Sequence, residues 1–408
     1  MLPNDWQRLT VGDCADLLTG HAFSSQKYAE PTESTVKLLR GDNIVQGSLR
    51  WEDAKHWTAP YAEQLRRYEM RVGDIVIAMD RPVVNSGLKC SVVQKHDLPS
   101  LLVQRVARLR ATRHVEQDYL AHIFQTHQFI DHLKGKKTES AVPHISPHDI
   151  RDYELILPCD LNEQRRIANV LSSWDRAIAE AERLATRCRG QARDLGNVLL
   201  SGQRRFGDYA SWQPMTLSQM IRESRVPGSF GDVARKITVK LYGRGVVGKS
   251  ENRAGSESTR YYRRSAGQFI YSKLDFLNGA FGRIPESLDG YESTLDLPAF
   301  DFLPRVDPRW FLHYVSREAF YSGHLGLANG GRKARRVNPS DLLRVSIATP
   351  CLEEQMRIAD AIETAQQIAA VQDRYLNLLR QEKSALLSQL LTGKRRVKPP
   401  EAESEVTA

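Results

Sequence analysis

The chain contains no apolar run of about 18 residues or more, so no segment is long enough to cross a bilayer as a helix. Its opening, Met1-Leu2-Pro3-Asn4-Asp5-Trp6, lacks the basic-then-apolar pattern of a secretion signal, and a cytoplasmic location is expected. Cysteine is sparse: Cys14, Cys90, Cys159, Cys188 and Cys351 are scattered without any Cys-x-x-Cys pair. That spacing argues against a zinc ribbon and a disulfide framework and predicts reduced thiols. Catalytic signatures are also missing. There is no Asn/Asp-Pro-Pro-aromatic methyltransferase loop and no Pro-Asp…Glu-x-Lys nuclease set. His122, His127 and His132 would spread around a helix, and Pro147 separates His144 from His148. No catalytic residue and no metal site is predicted.

One motif misleads. Gly243-Arg244-Gly245-Val246-Val247-Gly248-Lys249-Ser250 satisfies the phosphate-loop pattern Gly-x4-Gly-Lys-Ser. A working phosphate loop opens into a helix whose N-terminal amides hold the anion. Here Glu251-Asn252-Arg253-Ala254-Gly255 follows, with no helical periodicity, and the match reads as chance.

What the chain does have is positive charge. A net charge of +9 and a pI near 9.3 favour an acidic partner, of which nucleic acid is the commonest. It also has a repeat. Pro158…Asn162-Glu163-Gln164-Arg165-Arg166-Ile167 recurs as Pro350…Glu353-Glu354-Gln355-Met356-Arg357-Ile358. Leu199-Leu200-Ser201-Gly202-Gln203-Arg204-Arg205 recurs as Leu390-Leu391-Thr392-Gly393-Lys394-Arg395-Arg396.

Between each opening and closing the sequence reads as one long helix. Steps of four and three residues run through Ile167, Leu171, Trp174, Ile178, Ala181, Ala185, Cys188, Ala192, Leu195 and Leu199. Such a stripe is a coiled-coil seam, because 3.5-residue spacing keeps one face toward a partner helix. The second seam, Ile358, Ile362, Ala365, Ala369, Gln372, Leu376, Leu379, Lys383, Leu386 and Leu390, admits two polar residues. Ile368, Val371, Tyr375 and Leu378 offer apolar surface beside it, which suggests a second contact, with Gln372 and Lys383 marking a possible docking face.

The repeat extends into the flanking segments. Trp6-Gln7-x-Leu9-Thr10 returns as Trp212-Gln213-x-Met215-Thr216, and Thr35-Val36-Lys37-Leu38 returns unchanged as Thr238-Val239-Lys240-Leu241. Gly73-Asp74-Ile75-Val76-Ile77 is echoed by Gly267-Gln268-Phe269-Ile270-Tyr271, and Ser146-Pro147-His148-Asp149-Ile150 by Asn338-Pro339-Ser340-Asp341-Leu342. Strands are predicted at Val36–Leu39, Gly73–Ala78, Leu101–Leu109 and Glu154–Leu157, and helical turns over Asp118–Leu133. The expected architecture is α+β: two similar mixed α/β domains, 1–157 and 207–349, separated by long helices at 158–206 and 350–397, with pseudo-two-fold internal symmetry. A short tail, 398–408, is expected to be disordered.

Three basic stretches are candidates for contacts to nucleic acid: Lys134, Lys136 and Lys137; Arg260, Arg263 and Arg264; and Arg332, Lys333, Arg335 and Arg336. The first and third occupy matching places in the two halves. Clustered cations release counterions from phosphates, and arginine forks can read guanine edges.

These motifs, with Ala280-Phe281-Gly282-Arg283-Ile284-Pro285, make the chain resemble the specificity subunit of a Type I restriction–modification system over nearly its whole length. The resemblance implies two target-recognition domains, each reading one half of a bipartite duplex site, on two helices that pair antiparallel and set the spacing. It implies a non-catalytic subunit that binds no cofactor itself. S-adenosylmethionine would act on two modification subunits, and ATP with magnesium on restriction subunits. A different expectation from the same features is a coiled-coil adaptor for an acidic protein.

Overall fold

The computed structural model describes residues 5–84, 87–135, 144–249, 256–323, 328–329 and 336–397. The chain forms two compact units: Met1–Glu182 with Tyr375–Ala408, and Arg183–Arg374. The division falls within the two long helices, Leu161–Leu200 and Leu352–Leu390, so each unit takes a part of both. Among the described residues no helix is long and apolar enough to cross a membrane.

The first unit is built on an antiparallel sheet in the order Cys90–Val92, Ile75–Ala78, Val106–Ala111, Ala15–Thr19. Its strand Ile75-Val76-Ile77-Ala78 is apolar throughout because both faces are covered. Ile75 and Ile77 face a core of helices, while Val76 and Ala78 pack against a second, smaller sheet. In that sheet Thr35–Leu39 lies between Ser100–Leu102, parallel to it, and Lys55–Thr58, antiparallel. The single strand expected over Leu101–Leu109 is therefore two strands in two sheets. The chain crosses between them at Arg105, whose φ of 63° cannot continue a ladder. Gln117–Ile123 and His127–Gly135 cover the larger sheet with Tyr119, Phe124, Phe129 and Leu133. Trp6–Thr10 pairs with Glu154–Pro158, which leads into the first long helix.

The second unit repeats this frame. Ile221–Ser224, Ala299–Phe302, Phe269–Tyr271 and Phe281–Arg283 form a sheet with the same chain order and neighbours, and Gln213–Thr216 pairs with Ser346–Thr349. The core is more aromatic: the Tyr271 and Phe300 rings stack at 5.8 Å, and Phe311 meets Phe269 edge-on at 5.2 Å. The smaller sheet differs, being Pro227–Phe230, Arg260–Arg263 and Glu292–Ser293, all antiparallel. The shared Thr-Val-Lys-Leu segment also diverges in structure. In the first unit it is a central strand; in the second, Ile237–Val239 forms a hairpin with Val246–Gly248.

Both long helices are continuous. The side chain of Asp160 caps the first, accepting the Asn162 amide at 2.9 Å. Each helix ends at a glycine of its closing motif, Gly202 at φ +74° and Gly393 at φ +70°. Their amides bond back to Leu199 and Leu390, and those of Arg204 and Arg395 to Val198 and Gln389, a left-handed stop. In the first unit the helices run antiparallel: Asp175 meets Lys383 and Glu182 meets Arg380. In the second unit Arg189 meets Asp373, again with one number rising as the other falls.

The seam holds. Ile167, Leu171, Leu199, Ile358, Ile362, Leu376, Leu379 and Leu390 are buried, and Trp174, Ile178, Leu195 and Leu386 are partly buried. One expectation is corrected. Lys383 is no part of an outward docking face: its side chain is only 11% exposed, and its ammonium donates to Asp175 at 2.5 Å and Gln125 at 2.7 Å. Ile368, Val371, Tyr375 and Leu378, by contrast, are each at least half exposed.

Candidate nucleic-acid interface

The duplicated openings turn out to be clamps. Gln164 is fully buried; its side-chain amide donates to the carbonyls of Pro158 (2.8 Å) and His114 (3.1 Å), and its oxygen accepts the Glu116 amide (2.9 Å). Gln355 repeats the pattern with Pro350 (2.9 Å), Arg305 (3.3 Å) and the Asp307 amide (2.9 Å). The neighbouring glutamates reach the closing motif of the other helix. In the first unit Arg396 grips Glu163 and also Asp5, each through a bond of 2.7 Å or less. In the second unit Arg205 forks onto both oxygens of Glu354 at 3.0 and 2.8 Å, and the Trp212 indole donates to the same carboxylate. These bonds push the pKa of Arg205 and Arg396 upward and hold Asp5 below the usual carboxylate range. Both helices are thus locked to the strands that lead into them. The signal for these roles was the repetition of Glu-Gln and Arg-Arg; which partners they meet was not visible.

The predicted cations have different fates. Arg260 and Arg263 stand exposed on the middle strand of the second unit's smaller sheet. Arg260 lies over the Phe230 ring at 5.7 Å. Gly290, at φ +73°, leaves room beside which the guanidinium groups of Arg263 and Arg235 both lie. Arg235 stacks on Tyr291 at 4.6 Å, and sequence reasoning did not single it out. None of these three arginines pairs with a carboxylate among the described residues; Glu292 nearby spends its oxygens on Ser229.

Arg264 corrects the prediction. It is 1% exposed, and its guanidinium donates to Ser293 Oγ (2.8 Å) and the carbonyls of Ser224 (2.7 Å) and Leu297 (3.2 Å). Burial lowers its pKa to about 10. It ties strands together and presents nothing to a ligand; it lies one residue past the end of the strand Arg260–Arg263, and its side chain falls inside.

Arg336 is exposed and pairs with Asp296 at 3.4 Å, and Lys134 is exposed and pairs with Asp131 at 3.2 Å, both weak surface contacts. Lys136, Lys137, Arg332, Lys333 and Arg335 lie outside the described residues. The phosphate-loop lookalike is a β-hairpin, with Val246–Gly248 a strand where a nucleotide site needs a helix start.

The two units share one frame, each with its own clamp at the start of a long helix. Residues 3–186 match the family model for the Type I restriction modification DNA specificity domain. Over 184 residues, 45% of this chain, it is 33% identical to the Type I restriction enzyme EcoAI specificity subunit of Escherichia coli. Over 205 residues, half of this chain, it is 26% identical to the MjaVIII specificity subunit of Methanocaldococcus jannaschii. The matched regions span 30% and 47% of those two proteins. Among solved structures, the fold is similar over 97% of the chain to a component of a type I R-M system (TM-score 0.61, 16% identity, all of that chain). It is also similar to the HsdS subunit from Thermoanaerobacter tengcongensis (0.52, 18%, 97% of this chain and 98% of that one). A third likeness is to the Type-I S subunit from M. genitalium (0.55, 13%, 96% and 97%).

Proposed function

We propose that this chain is the DNA sequence-recognition subunit of a Type I restriction–modification complex, each unit reading one half of a bipartite duplex site. The observation that carries this is the repeated frame: two units share one sheet topology and one clamp, but differ in the smaller sheets. A reader of two unlike half-sites needs a common scaffold and divergent contact surfaces. The exposed arginines Arg260 and Arg263 on the second smaller sheet, with Arg235 beside them, suit phosphates and guanine edges, and speak for DNA over an acidic protein. Arg336 and Lys134, with the undescribed Lys136, Lys137, Arg332, Lys333 and Arg335, belong to the same proposed footprint.

The chain itself performs no chemistry in this reading. Two modification subunits would carry S-adenosylmethionine, and restriction subunits, where they assemble, ATP and magnesium, all in the cytoplasm. In the second unit the exposed pair Ile368 and Val371 suits a helix-packing contact with modification subunits. The test is the methylation pattern of the host genome with and without this chain. A split motif, two short half-sites around a fixed unspecific gap, is expected and should vanish when the chain is deleted. A contiguous motif, or one indifferent to the deletion, would refute the proposal.

A further inference from the structure

The hairpin that mimics a phosphate loop has no role in the reading above, yet its construction is unusual. From Val233 to Lys249 the chain carries Arg235, Lys236, Lys240, Arg244 and Lys249 and no acidic residue. The underside of the hairpin is fixed: Ile237, Val239 and Val246 join a core with Ile270, Ile284 and Leu288. Its tip, Lys240 to Arg244, is exposed at five successive positions. The tip is nevertheless held rigidly. Tyr242 and Gly243 donate their amides to the carbonyls of Asn278 and Gly279, both at 2.9 Å, and Lys240 donates to Gly245 at 2.9 Å. Gly279 permits this close approach, since a Cβ there would lie 3.3 Å from the Tyr242 Cα.

The residue at the tip is the telling one. Arg244 donates its amide to Leu241, closing a four-residue turn whose two central residues both have positive φ, Tyr242 at 60° and Gly243 at 65°. Such type I′ turns take Asn, Asp or Gly at the first central position because a side chain there is strained. Tyrosine is a poor choice for the fold, and with 71% of its surface exposed it gains little packing in return. The Arg244 guanidinium, 6.0 Å above the ring, is its neighbour. Leu241 is exposed beside it. Strained residues that the fold does not need are a mark of binding sites.

A rigid tip that presents an aromatic face and a leucine between two cations, on an acid-free segment, suits a polyanion with stackable or apolar edges. Duplex DNA has both. We infer that the tip Leu241–Arg244 is a DNA-contacting finger of the second unit, with Tyr242 against the bases or sugars and Lys240 and Arg244 on the adjoining phosphates. This rests on the proposed role of the chain as a DNA reader.

The test uses the full chain assembled with its modification subunits, and a short duplex carrying the methylated motif that the wild-type complex writes. A second duplex has one half-site scrambled. Tyr242→Asn and Tyr242→Gly suit the turn, so both variants should fold with a Tm equal to or above wild type. Each should bind the motif duplex roughly tenfold more weakly or worse, the scale of a lost aromatic–base contact. Each should also lose preference for the intact half-site. Arg244→Ala should weaken binding to both duplexes alike. Wild-type affinity and discrimination in both Tyr242 variants would overturn the finger and leave DNA reading intact. Unchanged DNA binding with lost capture of the modification subunits would overturn it too, assigning the tip to a protein contact. If the wild-type complex prefers no duplex at all, the underlying role fails, a result the wild-type arm alone delivers.

Discussion

Gln164 and Gln355 sit where a carboxylate or an alkyl chain would fail. Each offers two N–H donors and an acceptor to backbone groups of the segment leading into the helix and of a second loop packed beside it. Removing the amide strands two carbonyls and an amide in a dry site. Gln355→Ala is therefore expected to destabilise the second unit by about 3 kcal/mol, since each buried orphan costs on the order of 1–3 kcal/mol. Urea denaturation would show the midpoint falling. Gln355→Glu should be no better, because a carboxylate cannot donate to Pro350 and Arg305.

His122 gives a pH dependence. It lies against Ser172 Oγ at 3.1 Å, and burial pushes its pKa down from 6.5 to about 4, with Asp175 opposing and Lys383 reinforcing the shift. The unfolded chain takes up the proton near pH 6.5 and the folded one only near 4. Stability is then full above pH 6.5 and is lost as the pH falls toward 4, by at most about 3 kcal/mol. Thermal melts of wild type should fall across that window more steeply than those of His122→Asn; parallel slopes would assign the acid lability elsewhere. In the sequence His122 was only one of three evenly spaced histidines. Its burial depends on the first long helix packing over it, which local pattern does not reveal.

At the level of elements, the long helices were the most legible part. A 3.5-residue stripe is a property of the sequence itself, and the glycines that end the helices lie in the repeated motif. Less legible was the inward turn of Lys383. A polar residue in a seam reads as a defect or a docking point, yet here Asp175 and Gln125 wait for it. Such a pair sets which residues of two helices lie side by side more sharply than apolar contacts do. If the helices set the spacing of the half-sites, inserting one heptad into both, at the level of Arg189 and Asp373, preserves the seam. It adds about 10 Å of helix. The gap in the methylated motif should grow by about three base pairs, whose rise is about 3.4 Å each. A folded double insertion that writes the original gap would separate helix length from target spacing.

For the whole molecule, the repeated frame was legible because its strands and helix starts kept recognisable letters: Trp-Gln, the Gly-x-Ile/Phe-x-x strand, the Pro-led turn before the last strand. The smaller sheets were not. Thr35–Leu38 and Thr238–Leu241 are identical, yet one is a central strand and the other ends in a hairpin tip, because the residues that follow decide the turn. Arg264 was misread for a related reason: charge runs say nothing of which side chain points inward. The smaller sheets are where the two halves have moved apart, which no motif had marked.

The crossed pattern of the clamps has a genealogical consequence. The opening glutamate of one helix meets the closing arginine of the other, Glu163 with Arg396 and Glu354 with Arg205. A chain half as long, with one opening and one closing, carries both members of the pair but is suited to offer them to a neighbour. Two identical copies would then satisfy each other. Joining two such genes in tandem keeps every clamp closed while releasing the copies from identity.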